Sequence, residues 1–241
     1  MQNSEKYLTD LYGKLGNLEK DFRNYNLTNL IISKVKGKSV LDIGCGNGYL
    51  LDKLSKQGKI TFGIEPNKKL IRLAKNLNPE LNIYKGDAGE INKLIKTKVD
   101  TVTMIDVLEH IKEDKLQIRK IRDCLVEKGE LIIFVPANPI LYGKRDKNLG
   151  HYRRYTKKRL ISILKENNFR VKHLRHHNML GVIPYFISEK ILKKEMNTTK
   201  LRTKDNKKLL NRILNIWFKY VENNINLGFG FSLLCIAEKI E

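Results

Sequence analysis

The sequence predicts a doubly wound α/β sandwich, a parallel sheet with helices on both faces. Three observations predict it. Between residues 39 and 135, short apolar runs alternate with amphipathic helical segments. The first run ends in a glycine turn, Gly44-Cys45-Gly46-Asn47-Gly48. Polar residues close four successive runs, and ligands in such sheets sit beyond the carboxyl ends of the strands.

The elements follow in order. Residues 4–35 read as helical, with Leu8, Leu11, Leu15 and Leu18 on one face and Leu27, Leu30, Ile31 and Val35 on another. Ser39–Ile43 is a strand and Asn47–Gln57 a helix. Ile60–Glu65 is a strand ending at an acid, and Asn67–Asn76 is a helix. Leu81–Tyr84 is a strand leading to Gly86-Asp87, and Val99–Ile105 one ending at Asp106. Glu113–Val126 carries Ile118, Ile121 and Leu125 on one helical face, and Pro136 stops the strand Glu130–Val135. Pro136–Tyr155 reads as a long loop. Thr156 can N-cap the next helix, and Phe169–Leu174 is a strand. Ile183–Leu192 and Leu209–Val221 read as amphipathic helices joined by a basic linker, Lys193–Lys207. Phe229–Ala237 is a last strand. This gives a helical cap over 1–37, an α/β core over 38–176, a basic helical insertion over 177–228, and a final core strand over 229–241.

Composition narrows the class. The chain has 241 residues, 41% hydrophobic and 30% charged, which suits one globular domain with appendages and excludes wholesale disorder. The three cysteines, Cys45, Cys124 and Cys235, are dispersed, which excludes a disulfide scaffold, a four-cysteine zinc site and a cysteine-ligated iron–sulfur cluster built from this chain. A reducing, cytoplasmic setting is expected, and Met1–Asp10 carries no secretory leader pattern. The net charge of +21 is uneven: residues 144–220 hold 22 bases against 5 acids. Such a block attracts polyanions: nucleic acid, anionic lipid headgroups or phosphorylated substrates. A solvated lysine-rich surface is the plainer alternative.

The glycine turn lets backbone approach a ligand and opens a helix N-terminus toward it. A dinucleotide fingerprint would need glycine where Tyr49 stands. Glu65 can accept both hydroxyls of a ribose. Asp87, with Ala88, can take an amino hydrogen from a purine edge. Asp106-Val107-Leu108-Glu109-His110 closes the fourth strand.

Taken together, VLDIGCGNG (40–48), GIEPN (63–67), GDA (86–88), IDVLEHI (105–111) and LVEKGELIIFVP (125–136) resemble the class I S-adenosylmethionine-dependent methyltransferases. The resemblance implies a Rossmann-like sheet of seven strands with the last antiparallel. It implies S-adenosylmethionine as cofactor and S-adenosylhomocysteine as product. Gly44, Cys45 and Gly46, with Asn47 and Gly48 completing the turn, would pack against the methionine part. Asp42 would hold its amino end. Glu65, next to Pro66, would bind the ribose. Asp87 and Ala88 would read the adenine, and Asp106 and Val107 would line the reacting centre.

A second segment, Gly150-His151-Tyr152-Arg153-Arg154-Tyr155-Thr156 behind Arg145-Asp146, is similar to ubiquinone-type and sugar or cell-envelope glycan O-methyltransferases. An oxygen acceptor loses a proton as it attacks, so a base is expected: His151 first, His110 second. No metal is expected. Arg145, Arg153 and Arg154 offer forks to an anionic acceptor, and Tyr152 and Tyr155 offer rings. The expected substrate is a small-molecule, sugar or prenyl-linked hydroxyl. The expected partner is a lipid-linked anionic acceptor, with membrane-surface contact through 177–228 at the inner membrane face. An RNA or protein methyltransferase using the basic block is the alternative.

Overall fold

The computed structural model describes residues 22–194, 208–222, 224–225 and 228–241. The helix expected over 4–21 and most of the basic linker lie outside the described residues.

The strands are β1 (Ser39–Ile43), β2 (Ile60–Glu65), β3 (Asn82–Lys85), β4 (Val99–Ile105), β5 (Leu125–Pro136), β6 (Phe169–His177) and β7 (Ser232–Lys239). They form one seven-stranded sheet in the order β3-β2-β1-β4-β5-β7-β6. Strand β7 runs antiparallel to both neighbours, and every other pairing is parallel. The expected doubly wound sheet with a reversed last strand is borne out. The strand order turns back between β1 and β4, so the carboxyl ends of those two strands flank the crevice where such sheets bind ligands.

The helices are α1 (Phe22–Ile32), α2 (Tyr49–Ser55), α3 (Lys68–Leu77), α4 (Ile91–Leu94), α5 (Asp114–Cys124), α6 (Lys144–Leu149), α7 (Lys157–Glu166), α8 (Val182–Phe186) and α9 (Lys208–Trp217). Strand alternation supplies two cores. Leu41, Leu131, Ile133 and Cys235 point to one side, where Ile118, Ile121, Leu160 and Leu164 of α5 and α7 cover them. Val40, Ile132, Phe134 and Leu234 point to the other, where Leu27 and Ile31 of α1 and Leu50 and Leu54 of α2 cover them. Helix starts follow side-chain caps. The Asn67 side chain accepts from Lys69 N and Leu70 N, and the Thr156 hydroxyl accepts from Arg159 N.

Several elements differ from expectation. The loop 136–155 contains a 3₁₀ turn, Pro139–Leu141, and helix α6. The start of α6 is fixed when Gly143 N–H donates to Asp146 Oδ2, and the helix ends at Gly150 with φ 77°. Strand β5 begins earlier, at Leu125, and β6 runs on to His177 because the returning β7 pairs with its polar end. Helices α8 and α9 each widen into a π turn, at Ile187–Ile191 and Phe218–Glu222.

Ile133 is fully buried on a central strand. Ile133→Ala is expected to destabilise the protein by about 2–5 kcal/mol through lost burial and a residual cavity. Urea unfolding measures this, and a loss no larger than that of a surface substitution would contradict the layer assignment.

Candidate active site

Four strand ends meet at one edge. After β1 the chain turns through Gly44, Gly46 and Gly48, all with positive φ. At Gly44, with φ 71°, an added Cβ would lie 2.5 Å from Val107 Cγ2, so only glycine lets the β1 and β4 ends approach this closely. Gly46 N–H donates to Glu65 Oε2 at 2.9 Å, and Asn67 N–H donates to Glu65 Oε1 at 2.9 Å. These bonds fix the Glu65 carboxylate against the turn. Pro66 beside it is exposed, and Asn47 is half-buried.

Asp42 lies beneath the turn, buried, and accepts from Thr103 Oγ1 at 2.6 Å. Burial pushes its pKa from 3.8 up to about 7; the Thr103 bond opposes this and the nearby Glu65 charge adds to it. Burial likewise pushes the Cys45 thiol well up, so Cys45 packs as an apolar residue. Asp87 caps the short turn Ala88–Glu90, accepting from Gly89 N, and Ala88 O accepts from Gln117 Nε2. Asp106 has φ 53°, a left-handed conformation costly for a non-glycine residue and found at functional sites. It accepts from Arg23 at 2.8 Å, so α1 reaches the crevice. Burial raises the Asp106 pKa, but Arg23, with His151 and His110, holds it below the usual carboxylate range.

Behind Asp106 sits a second group. Glu109 is fully buried, and neither carboxylate oxygen has a hydrogen-bond partner among the described residues. Burial, then the Asp106 charge, pushes its pKa well up. His151 Nε2 lies 3.9 Å from Glu109 Oε1, and the His110 and His151 rings meet edge to face at 4.7 Å. Burial, then His151, pushes His110 down to about 4. Ligand atoms of Glu109, His110 and His151 all lie within 4.8 Å of one another, a set able to hold a divalent cation, which the sequence reading did not foresee.

His151 is held from behind. Its Nδ1 lies 2.8 Å from Asp146 Oδ1. Asp146 also accepts from Gly143 N, Arg154 Nε and Tyr185 Oη. Burial works against ionisation here, but the bonds from His151, Arg154 and Gly143 bring its pKa down to about 2. Asp146 thus orients the ring from the Nδ1 side, with Nε2 toward Glu109.

The acceptor residues expected from sequence divide. Tyr152 is exposed, and Arg145 is half-buried on α6. Arg153 pairs with Asp114 at 2.7 Å and donates to Lys112 O. Arg154 and Tyr155 are corrected: both are buried braces. The Arg154 guanidinium is committed to Asp146 and Ala137 O, between the rings of Tyr185 and Phe231. Tyr155 donates to Leu108 O or Asp114 Oδ2 with its ring inside the core. Sequence reasoning missed Arg23, Asp146 as the partner of His151, and Glu109 as an unpartnered acid. Only the local spacing of Asp146 and His151 carried a signal.

A family's sequence model, described as a methyltransferase domain, matches residues 17–174. The chain belongs to that family. The resemblance to class I S-adenosylmethionine-dependent methyltransferases is borne out, and with it the cofactor class. The chain is 36% identical over 109 residues to the ubiquinone biosynthesis O-methyltransferase of Coxiella burnetii (strain RSA 493 / Nine Mile phase I), covering 43% of this chain and 45% of that protein. It is 32% identical over 144 residues to the tRNA U34 carboxymethyltransferase of Ruthia magnifica subsp. Calyptogena magnifica, covering 57% and 44%. The chain thus spans about half the length of the curated relatives it matches. Among solved structures, the magnesium protoporphyrin IX methyltransferase of Synechocystis PCC 6803 with bound S-adenosylhomocysteine superposes with a TM-score of 0.59 at 16% identity, covering 96% of this chain and 94% of that one, a likeness of fold.

Asp42 yields a prediction of definite sign. Its folded pKa is raised, so the unfolded chain binds fewer protons between pH 3.8 and about 7. The Asp42 contribution to stability therefore falls as pH rises through that window in the unliganded protein. Asp42→Asn removes this slope, so the wild-type minus variant difference in urea unfolding should change across that range. A constant difference would contradict the burial argument.

Proposed function

We propose that the protein transfers a methyl group from S-adenosylmethionine to a hydroxyl oxygen of a small-molecule, sugar or prenyl-linked acceptor, with His151 as general base. The observation that carries the base assignment is the 2.8 Å contact between His151 Nδ1 and the buried carboxylate of Asp146. The donor supplies an already activated sulfonium methyl when bound, which passes to the acceptor oxygen as the carbon–sulfur bond breaks.

The residues at the strand ends fit that donor. The space at Gly44 admits backbone contact with the amino-acid part, where a side chain would collide with Val107. Asp42, buried beneath the turn, suits an ammonium, whose charge would offset the cost of ionising it. Glu65 holds its two oxygens toward the turn and suits a ribose diol. Exposed Asp87, fixed by its capping bonds, suits an adenine amino group, with Ala88 alongside. Asp106 and Val107 stand where donor and acceptor meet.

The remaining work is alignment and one proton. His151 accepts the acceptor's proton at Nε2, and Asp146 stabilises the resulting imidazolium while keeping the ring oriented. His110, held neutral, packs on the His151 ring and leaves it the single base of the pair. Tyr152 remains exposed on the same loop for acceptor contacts.

A second reading, methylation of RNA, is favoured by the 22 bases within residues 144–220 and by the likeness to a tRNA-modifying enzyme. A filter assay with tRNA over a salt series separates the two, because phosphate contacts give steep salt dependence.

Two experiments test the first reading. Calorimetry should show S-adenosylmethionine binding that Glu65→Ala weakens strongly; unchanged affinity refutes the pocket. With labelled donor and a panel of phenolic, prenylated and sugar acceptors, His151→Ala should lower kcat by roughly 10²–10⁴-fold with donor affinity kept. Asp146→Asn should lower kcat and move the acidic limb of the pH–rate profile, the limb set by protonation of a general base. Full turnover in His151→Ala refutes the base.

A further inference from the structure

The insertion between β6 and β7 leaves the sheet after His177 and returns at Ser232. Those two residues pair with each other, and Ser232 also pairs with Pro136 at the end of β5. The insertion is therefore rooted at the carboxyl edge of the sheet, the edge that carries the candidate site. One side of it is anchored there. Tyr185 Oη donates to Asp146, and Glu189 accepts from the backbone of Lys144 at the start of α6. Glu222 accepts from Met179 N and Trp217 Nε1, and Phe218 stacks on His177.

Two apolar stripes on the insertion face solvent. Ile183, Ile187 and Ile191 recur at four-residue steps along one helical face, and all are exposed. Ile213, Ile216 and Tyr220 recur at steps of three and four on the second helical segment, and all are exposed. Monomeric proteins rarely leave such stripes on display without a use for them. Cations border them: Lys193 and Lys194 follow the first stripe and are exposed, and Arg212 precedes the second and is exposed.

We propose that this face of the insertion docks on an anionic lipid bilayer, lying in the interface with its isoleucines in the acyl boundary and its lysines and arginines among headgroup phosphates. The combination decides the occupant. Nucleic acid would use the cations but leave the aliphatic stripes in water. A second copy would bury the stripes but bring one block of 22 bases and 5 acids against another. An anionic bilayer satisfies both features at once. No helix among the described residues is long and apolar enough to cross a membrane, so the contact is with the surface. The consequence for the site is positional: the docked face lies beside the crevice, where a lipid-borne acceptor would arrive.

Sedimentation with vesicles tests this. One set is phosphatidylcholine alone and the other contains equal parts phosphatidylglycerol. The wild-type chain should pellet with the anionic vesicles, keep a bound fraction at high salt, and stay in solution with the neutral ones. The double variants Ile183→Asp/Ile187→Asp and Ile213→Asp/Ile216→Asp should each lose affinity by about tenfold or more. Circular dichroism and calorimetric donor binding check that each variant is folded; using both pairs guards against one that is not. Equal pelleting of folded variants and wild type overturns the proposal, as does wild-type binding that vanishes entirely at high salt. A concentration-dependent dimer that the variants dissolve, without vesicle binding, also overturns it and assigns the face to a second copy. The docking proposal is independent of the acceptor reading: vesicle binding with no donor binding would sink only the enzymatic proposal, and donor binding with no vesicle binding only this one.

Discussion

The Asp146 carboxylate accepts from His151, Arg154, Tyr185 and the Gly143 backbone while remaining almost entirely buried. Each donor comes from a different part of the architecture. Gly143 opens α6, Arg154 stands beside the strand-like bridge of Ala137 and Tyr155, and Tyr185 belongs to the insertion. A buried anion is tolerable only when surrounding donors replace its water. Removing any one of them would leave the others around a less compensated charge, so the four hold each other. The loop that carries His151, the insertion and the orientation of the His151 ring are thus tied to one ion.

The donor end of the crevice rests on a different constraint. There the chain backbone must come close, and Gly44 and Glu65 permit and fix that approach. Asp106, with its left-handed backbone, is the point where the two halves touch, and Arg23 holds it from α1. The strain at Asp106 is maintained because β4 is locked on both sides, by β1 and β5, and Asp106 N–H donates to Phe134 O at 2.8 Å. Helix α1 therefore reads directly onto this strained residue.

The boundaries of β1, β2 and β4 are legible to the residue because central parallel strands are apolar on both faces and stop at glycine or acid. The start of β5 is not. Glu127, Lys128 and Gly129 interrupt its apolar pattern, and Lys128 has φ 61°, a break the pairing with β4 spans by a register shift. Helix α6 has the sequence Lys-Arg-Asp-Lys-Asn-Leu, without apolar periodicity; its cap rather than its face specifies it. At the site, the strand-end acids are legible from position alone. The burial of Arg154 and Tyr155 is not, since a charged loop reads as solvated until its internal counter-charge is known. Arg23 and Asp106 lie 83 positions apart, a contact no local pattern encodes.

Glu109 and Asp106 show how surroundings treat the same chemical group differently. Two carboxyl groups, Asp106 and Glu109, follow the same strand end, and their environments push them in opposite directions. Asp106 has Arg23, which holds its pKa below the usual carboxylate range, whereas Glu109 has no hydrogen-bond donor among the described residues and burial pushes its pKa well up. Among the described residues, Asp146 is the carboxylate in hydrogen-bonding contact with the His151 ring, on the Nδ1 side, while Glu109 lies 3.9 Å from Nε2. The separation of the two acids is therefore part of the same arrangement that orients His151.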